Sequence, residues 1–334
     1  MSATDDVVLT ATDLVRSFPA GSVLRRRHVS AVDGVSLALR RGEVLGIVGE
    51  SGCGKSTLAR MLVGLEKPDA GRLAYRGQDV TAGRRRDRKR LRDGVQMIFQ
   101  DPYSSLDPRM TVLEVVAEPL AANRCGSRAQ RRDRVAELLS LVGLSPDMMG
   151  QYPHQFSGGQ RQRIGIARAL ALDPDVLICD EPVSALDVSV QAQVINLLEG
   201  LRARLGVAVV FIAHDLSVVR HLADRVAVMY LGRIAEIGGT AAIYDHPANP
   251  YTQALLSAVP SPDRAARGRL AQRRVLAGEP PSPLSPPPGC RFNPRCWLAT
   301  DECRADVPRL REIGGEPRRS ACHHAEDTLR EVVG

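Results

Sequence analysis

The sequence predicts an α/β fold built on a mostly parallel sheet, and three observations predict it. A glycine-rich turn, Gly49-Glu50-Ser51-Gly52-Cys53-Gly54-Lys55-Ser56, joins a predicted strand to a predicted helix. Short Val- and Ile-rich runs alternate with helix-length periodic segments, the pattern of a covered parallel sheet. A helical block over about 108–174 interrupts that alternation and reads as a subdomain inserted between strands. The chain thus divides into an α/β domain over 1–260, a proline-rich linker over 261–288 and a cysteine-rich extension over 289–334.

The elements follow in order. Val7–Leu14 and Ala31–Leu39 are partly alternating, Val- and Leu-rich strands, with Arg25-Arg26-Arg27 in their connection. Glu43–Val48 is a strand entering the glycine turn. A helix over Lys55–Leu65 ends at Lys67-Pro68-Asp69-Ala70-Gly71. Within the helical block, Val135, Leu138, Leu139 and Val142 take the i, i+3, i+4, i+7 spacing of an amphipathic helix. Asp175–Cys179 is a buried-type strand, Gln191–Leu205 a helix, and Val207–Ala213 a strand again. Pro280-Pro281-Ser282-Pro283-Leu284-Ser285-Pro286-Pro287-Pro288 lacks the amide donors of helix or central strand and reads as a stiff extended segment.

Composition narrows the function. With 44% hydrophobic and 25% charged residues among 334, the chain can bury a core. Its longest apolar runs are strand-sized, far short of the roughly 20 residues of a membrane span. Met1–Asp6 lacks the basic start and apolar core of a signal peptide, so a cytoplasmic protein that meets a membrane through a partner is expected. Much of the net charge of +7 lies in Arg84–Arg92. No aromatics interleave with those charges as a base-stacking platform requires, so the run reads as a solvated helix face or loop and no nucleic-acid partner is expected.

The glycine turn matches the phosphate-loop pattern in full. Gly49, Gly52 and Gly54 let the backbone amides of Glu50, Ser51 and Cys53 turn inward around phosphate oxygens, and the following helix start adds positive potential. Lys55 supplies a point charge for the terminal phosphates, the Ser56 hydroxyl is a Mg²⁺ ligand, and Thr57 completes the cradle. Val176-Leu177-Ile178-Cys179-Asp180-Glu181 is a buried strand ending in two acids. Beside a phosphate loop, Asp180 is placed to hold Mg²⁺ and Glu181 to polarise the attacking water.

A second helix start separates this chain from most phosphate-loop proteins. Phe156-Ser157-Gly158-Gly159-Gln160-Arg161-Gln162-Arg163 opens a helix with Ser157 and two glycines, another ready-made anion site. As a purely structural feature it would be a helix cap. The segment resembles the signature motif of the ABC ATPases, with Phe in place of the commoner Leu at its start. The resemblance implies the fold of that family: a P-loop core with N-terminal antiparallel strands and an inserted helical subdomain. It also implies that Ser157, Gly158, Gly159 and Gln160 close over ATP held by the phosphate loop of an opposing subunit.

Further residues fall in the family's order. Gln100 matches the Q-loop, which senses Mg²⁺ and the attacking water. Asp187, in Ser184-Ala185-Leu186-Asp187, matches the D-loop. His214, after Val209–Ala213, matches the switch histidine on the γ-phosphate. Phe18 falls where the family places an aromatic on adenine, with the Gly21–Ser30 insertion following it.

The chain further resembles the ATPases of oligopeptide and dipeptide importers, over about residues 7–325. Asp101–Met110, Tyr152–Phe156, Asn249–Thr252, Gly278–Pro283 and Gly289–Cys296 carry that likeness, and the Tyr103-Ser104-Ser105 stretch resembles the second of the two ATPase types such importers pair. The resemblance implies a second ATPase subunit, two membrane permeases, an extracytoplasmic solute-binding protein, and residence on the cytoplasmic face of the inner membrane. Nickel and other small solutes share the pattern and stay open as cargo.

Cys290, Cys296, Cys303 and Cys322 lie in a segment too poor in apolar residues to order itself without a staple. Spacing leaves zinc and iron–sulfur both open. The resemblance implies a [4Fe-4S] cluster, with zinc the alternative, His323 and His324 as substitute ligands, and Trp297 shielding the site. A soluble ABC ATPase of DNA repair or translation would bring a second cassette or a coiled-coil insert, and a non-hydrolysing regulatory subunit would lack Glu181 or His214. Neither matches this sequence.

Overall fold

In a computed structural model, residues 6–20, 27–81, 83–101, 105–258, 278–314 and 317–333 are described. Arg25, Arg26, most of the Gly21–Ser30 insertion, Pro102, Tyr103, Ser104 and the first part of the expected linker lie outside these residues.

The chain opens with a long hairpin, β1 (Val7–Ala20) and β2 (Arg27–Arg40), paired antiparallel. The first strand does not stop at Leu14: a register shift at Asp13, whose φ of 49° is left-handed, absorbs the break in alternation and lets pairing run on to Ala20. Next come β3 (Val44–Val48), α1 (Lys55–Leu62), β4 (Ala70–Tyr75) and β5 (Gln78–Asp79). The basic run forms α2 (Arg85–Gly94), where Leu91 is the buried residue and the charges face solvent. After β6 (Val95–Ile98), the helical block comprises α3 (Val112–Ala122), α4 (Arg128–Leu141) and α5 (Gly158–Ala169). Thr111–Glu114 and Ser127–Gln130 form capping boxes that start the first two of these helices. The periodic Val135, Leu138, Leu139 and Val142 are all fully buried.

β7 (Val176–Asp180), α6 (Val188–Leu205), β8 (Ala208–Ile212) and α7 (Leu216–Leu222) continue the alternation, followed by β9 (Arg225–Tyr230), β10 (Arg233–Gly239), α8 (Thr240–Asp245) and α9 (Pro250–Ser257). Helix α6 begins three residues before the expected Gln191, because Asp187 takes the N-cap position. Beyond the prolines, a short helix over Asp301–Ala305, β11 (Arg311–Glu312), β12 (Arg319–Ser320) and a terminal helix over Ala325–Val333 complete the chain.

Two sheets result. One is antiparallel, in the order β2-β1-β4-β5; the other has eight strands, β11-β12-β10-β9-β3-β8-β7-β6. Its centre is parallel and its β10–β12–β11 edge antiparallel. The central strands are buried on both faces, which is why they read as continuous apolar runs. Their residues alternate between two cores: Val44 and Val48, Leu177 and Cys179, and Val209 and Phe211 pack with the helical subdomain. Leu45 and Ile47, Val176 and Ile178, and Val210 and Ile212 pack with α1 and the hairpin sheet. The cysteine-bearing segment is joined to this body, since β12 pairs with β10. Among the described residues, no helix is long and apolar enough to cross a membrane.

Candidate active site

The phosphate loop turns between β3 and α1 under close packing. A Cβ at Gly49 would stand 2.1 Å from the Met229 carbonyl oxygen, and one at Gly54 1.9 Å from that of Ala31. Both glycines also hold φ values, 153° and 107°, that L side chains rarely adopt. Lys55, the first residue of α1, is buried, and its Nζ donates to the carbonyl oxygens of Gly49 at 2.8 Å and Glu50 at 3.0 Å. The ammonium is thereby held against the loop. Ser51 and Gly52 are exposed at the loop's tip, and Thr57 is half-buried one residue beyond Ser56. Cys53 points inward and is buried, which raises its thiol pKa.

The strand-end acids meet this loop. Ser56 Oγ donates to Asp180 Oδ1 at 3.0 Å. Burial pushes the Asp180 carboxyl above the ordinary range, and the Ser56 hydrogen bond opposes it. A hydroxyl and a carboxylate oxygen facing each other beside a phosphate cradle are a fitting donor pair for Mg²⁺. Glu181 occupies the left-handed region with φ 47°, a costly conformation for a non-glycine residue. Its N–H donates to the Ile212 carbonyl at 3.0 Å, and its own carbonyl accepts from the Ser184 N–H and hydroxyl at 3.2 and 3.1 Å. These bonds fix the turn that aims the carboxylate.

Glu181 Oε2 accepts from Gln100 Nε2 at 3.0 Å and stands 3.5 Å from His214 Nδ1. Gln100 follows β6, Glu181 follows β7 and His214 follows β8, adjacent strands of one sheet, so all three project from its carboxyl edge. A carboxylate flanked by an amide and an imidazole can hold and polarise a water molecule.

A second grouping forms at the start of α5. Ser157 caps the helix, accepting from the Gln160 N–H at 3.3 Å, while Gln160 Oε1 accepts from the Ser157 N–H at 3.0 Å. The helix-cap geometry is therefore present, and it leaves the exposed Ser157 beside an open helix N-terminus. A Cβ at Gly159 would meet Val190 Cγ1 at 2.4 Å, and one at Gly158 Leu186 Cδ2 at 3.2 Å. The glycines thus let the signature turn pack against the segment that carries exposed Asp187. Phe18 lies in β1 opposite Val29, with the Arg16 guanidinium 4.8 Å from its ring centre.

Cys290, Cys296, Cys303 and Cys322 line one cavity of about 510 Å³, together with His323 and His324. The electrostatic influence of the other three cysteines reaches Cys322, though burial is the main reason its thiol is pushed up to about 12. Burial also raises Cys290. Among the described residues, no three His, Cys, Asp or Glu side chains stand together as a group able to hold a metal ion. Thr300 Oγ1 donates to Cys303 Sγ at 3.5 Å. His324 Nε2 lies 3.1 Å from that same hydroxyl.

Sequence reasoning missed one set of contacts. Arg295 grips the Glu50 carboxylate with both terminal nitrogens at 2.9 Å, and Tyr251 OH accepts from the Glu50 N–H at 3.0 Å. The Asn249–Thr252 and Gly289–Cys296 stretches were the available signal, but nothing in them indicates a partner some 200 or more residues away.

Comparison with known proteins adds identity. Residues 32–184 match the family model described as ABC transporter, and residues 235–303 that described as oligopeptide/dipeptide transporter, C-terminal region. The chain is 50% identical over 327 residues to the oligopeptide transport ATP-binding protein AppF of Bacillus subtilis, covering 96% of this chain and 98% of that one. It is 50% identical over 328 residues to the di/tripeptide transport ATP-binding protein DppF of Pseudomonas aeruginosa, covering 97% and 99%. Among solved structures it resembles the ATP-binding cassette MJ0796 in a dimeric post-hydrolysis state with ADP and Pi. That match has a TM-score of 0.62 and 29% identity over 70% of this chain and 98% of that one.

Proposed function

The chain belongs to the ABC transporter ATP-binding subunits, in the oligopeptide/dipeptide transporter branch, and from that premise we propose how it works and with whom. It hydrolyses ATP to power peptide import, as one half of an ATPase dimer. The observation that carries the reading is Glu181, with Gln100 and His214 on its carboxylate and the Ser56–Asp180 pair at the same strand end.

Backbone amides of the Gly49–Thr57 loop and the Lys55 ammonium bind the phosphates. Ser56, Asp180 and Gln100 would hold Mg²⁺, which would neutralise charge on the phosphate oxygens. Glu181 orients water for in-line attack on the γ-phosphate and takes its proton, and His214 and Lys55 steady the departing phosphoryl group. Phe18 stacks on the adenine. Ser157, Gly158, Gly159 and Gln160, with Asp187 beside them, cover the nucleotide held by the partner ATPase, so each site is completed only in the dimer. The dimeric state of MJ0796 supports that arrangement.

The partners are a second ATPase subunit, two permeases and, through them, a solute-binding protein outside the membrane, which places the chain on the membrane's cytoplasmic face. The ATPase unit ends near residue 260 and the extension follows a proline-rich linker. Cys290, Cys296, Cys303 and Cys322 would be the ligands of a [4Fe-4S] cluster, which would serve structure and redox sensing. Four thiols on one cavity suit it in kind and number, with zinc the alternative.

Co-purification tests the assignment. Expressed with its permeases and second ATPase, the subunit should assemble and show ATPase activity stimulated by peptide-loaded binding protein. Failure to associate with any permease would overturn the transport role.

A further inference from the structure

We infer that Arg295 and Tyr251 are positioning residues of the ATPase: the segment after residue 249 braces the phosphate loop through Glu50, so nucleotide affinity is set partly from the C-terminal region. The inference rests on reading Gly49–Thr57 as the nucleotide cradle.

Glu50 is held at every polar group it has. Its N–H donates to Tyr251 OH at 3.0 Å, its carbonyl accepts from Lys55 Nζ at 3.0 Å, and its carboxylate takes the bidentate grip of Arg295 at 2.9 Å. The grip is well protected, with side-chain exposures of 5% for Arg295 and 20% for Glu50. A planar guanidinium on a carboxylate fixes orientation as well as distance.

The two braces are themselves anchored. Tyr251 is fully buried, its ring centre 4.4 Å from that of Tyr230 and 5.4 Å from that of Phe292. Arg295 Nη1 also donates to Tyr230 OH at 3.3 Å. Arg291, on the same turn, pairs with Asp33 and donates to the Leu231 carbonyl. The turn over 290–296 is thus pinned to β2 and β9, and Arg295 reaches from it into the loop. A loop whose amides must meet phosphate oxygens loses binding when its backbone drifts by an ångström. The Glu50 contacts restrain that drift while themselves touching no phosphate.

The test measures dissociation of a fluorescent ATP analogue, KM and kcat for ATP, and thermal midpoint. Arg295→Ala should raise Kd and KM about 10-fold, roughly a 1.4 kcal/mol loss, with kcat changed less than about twofold at saturating ATP. Arg295→Lys should recover part of the affinity. Tyr251→Phe, which keeps the packing and removes the acceptor, should raise Kd in the same direction. Glu50→Ala combined with Arg295→Ala should weaken binding no more than the worse single change, since both remove one interaction. Arg304→Ala, breaking an exposed pair with Asp301 in the same segment, should alter none of these. Unchanged Kd and KM alongside a lowered thermal midpoint would overturn the inference, as would additive losses in the double variant. Lys55→Ala tests the cradle separately: if it binds nucleotide normally, the cradle reading fails, whatever Arg295 does.

Discussion

Replacing Glu236 by Gln should make the protein more stable at pH 8 than the parent, relative to pH 5. Glu236 is wholly buried in β10, and its Oε1 accepts from the Ala248 N–H at 2.8 Å. Burial pushes its carboxyl from the ordinary 4.5 up to about 7, against the opposing pull of the Ala248 and Thr252 hydrogen bonds and the Arg318 charge. A raised carboxyl pKa means that folding favours the protonated form. The folded chain therefore binds more protons than the unfolded one between about pH 4.5 and 7, and stability falls as pH rises through that window. The gap corresponds to about 3 kcal/mol. Glu236→Gln keeps the shape and cannot ionise, so the same penalty is absent. Thermal or urea unfolding of both proteins between pH 5 and 8 reads the effect as a difference of slopes, in which other titrating groups cancel. Parallel pH profiles would refute the reasoning.

Other outcomes follow from particular contacts. Gly159→Ala should destabilise by driving a methyl into Val190, and Val190→Ala in the same chain should restore the thermal midpoint. Ser157→Ala removes the α5 cap at a cost of about 1 kcal/mol, yet should reduce ATPase activity far more than that loss explains; a proportionate reduction would make Ser157 a cap alone. Asp180→Asn should leave nucleotide binding without Mg²⁺ intact and abolish its strengthening by Mg²⁺, measured by titration with and without the ion. Protein purified without oxygen should be brown and carry acid-labile sulfide with about four irons per chain; colourless, iron-free protein with normal stability would remove the cluster.

The sequence spoke most clearly where chemistry is local. Gly49–Ser56, Asp180–Glu181 and Ser157–Gln160 each place their working groups within a few residues, and the turn or cap that positions them is written in the same segment. His214 was readable behind the buried strand Val209–Ala213, whereas Gln100 came from the family resemblance alone, the strand before it, β6, having only four residues. Pairings decided by tertiary approach were not readable. The extra length of β1 depends on a bulge at Asp13, a residue that interrupts the alternation a strand is judged by. β12 has two residues, too few to show a period, and is ordered by its partner β10. The grip of Arg295 on Glu50 spans 245 positions, and one arginine among many announces nothing about its carboxylate. The four cysteines pointed toward a metal, but their grouping depends on how the turns at 290–303 fold back against Cys322, which spacing does not encode.

The most direct measurement is the mass of the Glu181→Gln variant in solution, with its natural ATPase counterpart and saturating Mg-ATP. Sandwiching of nucleotide between the phosphate loop of one subunit and the Ser157 turn of the other predicts a stable pair that dissociates when ATP is withdrawn. Subunits that stay single under those conditions, with nucleotide bound, would contradict it.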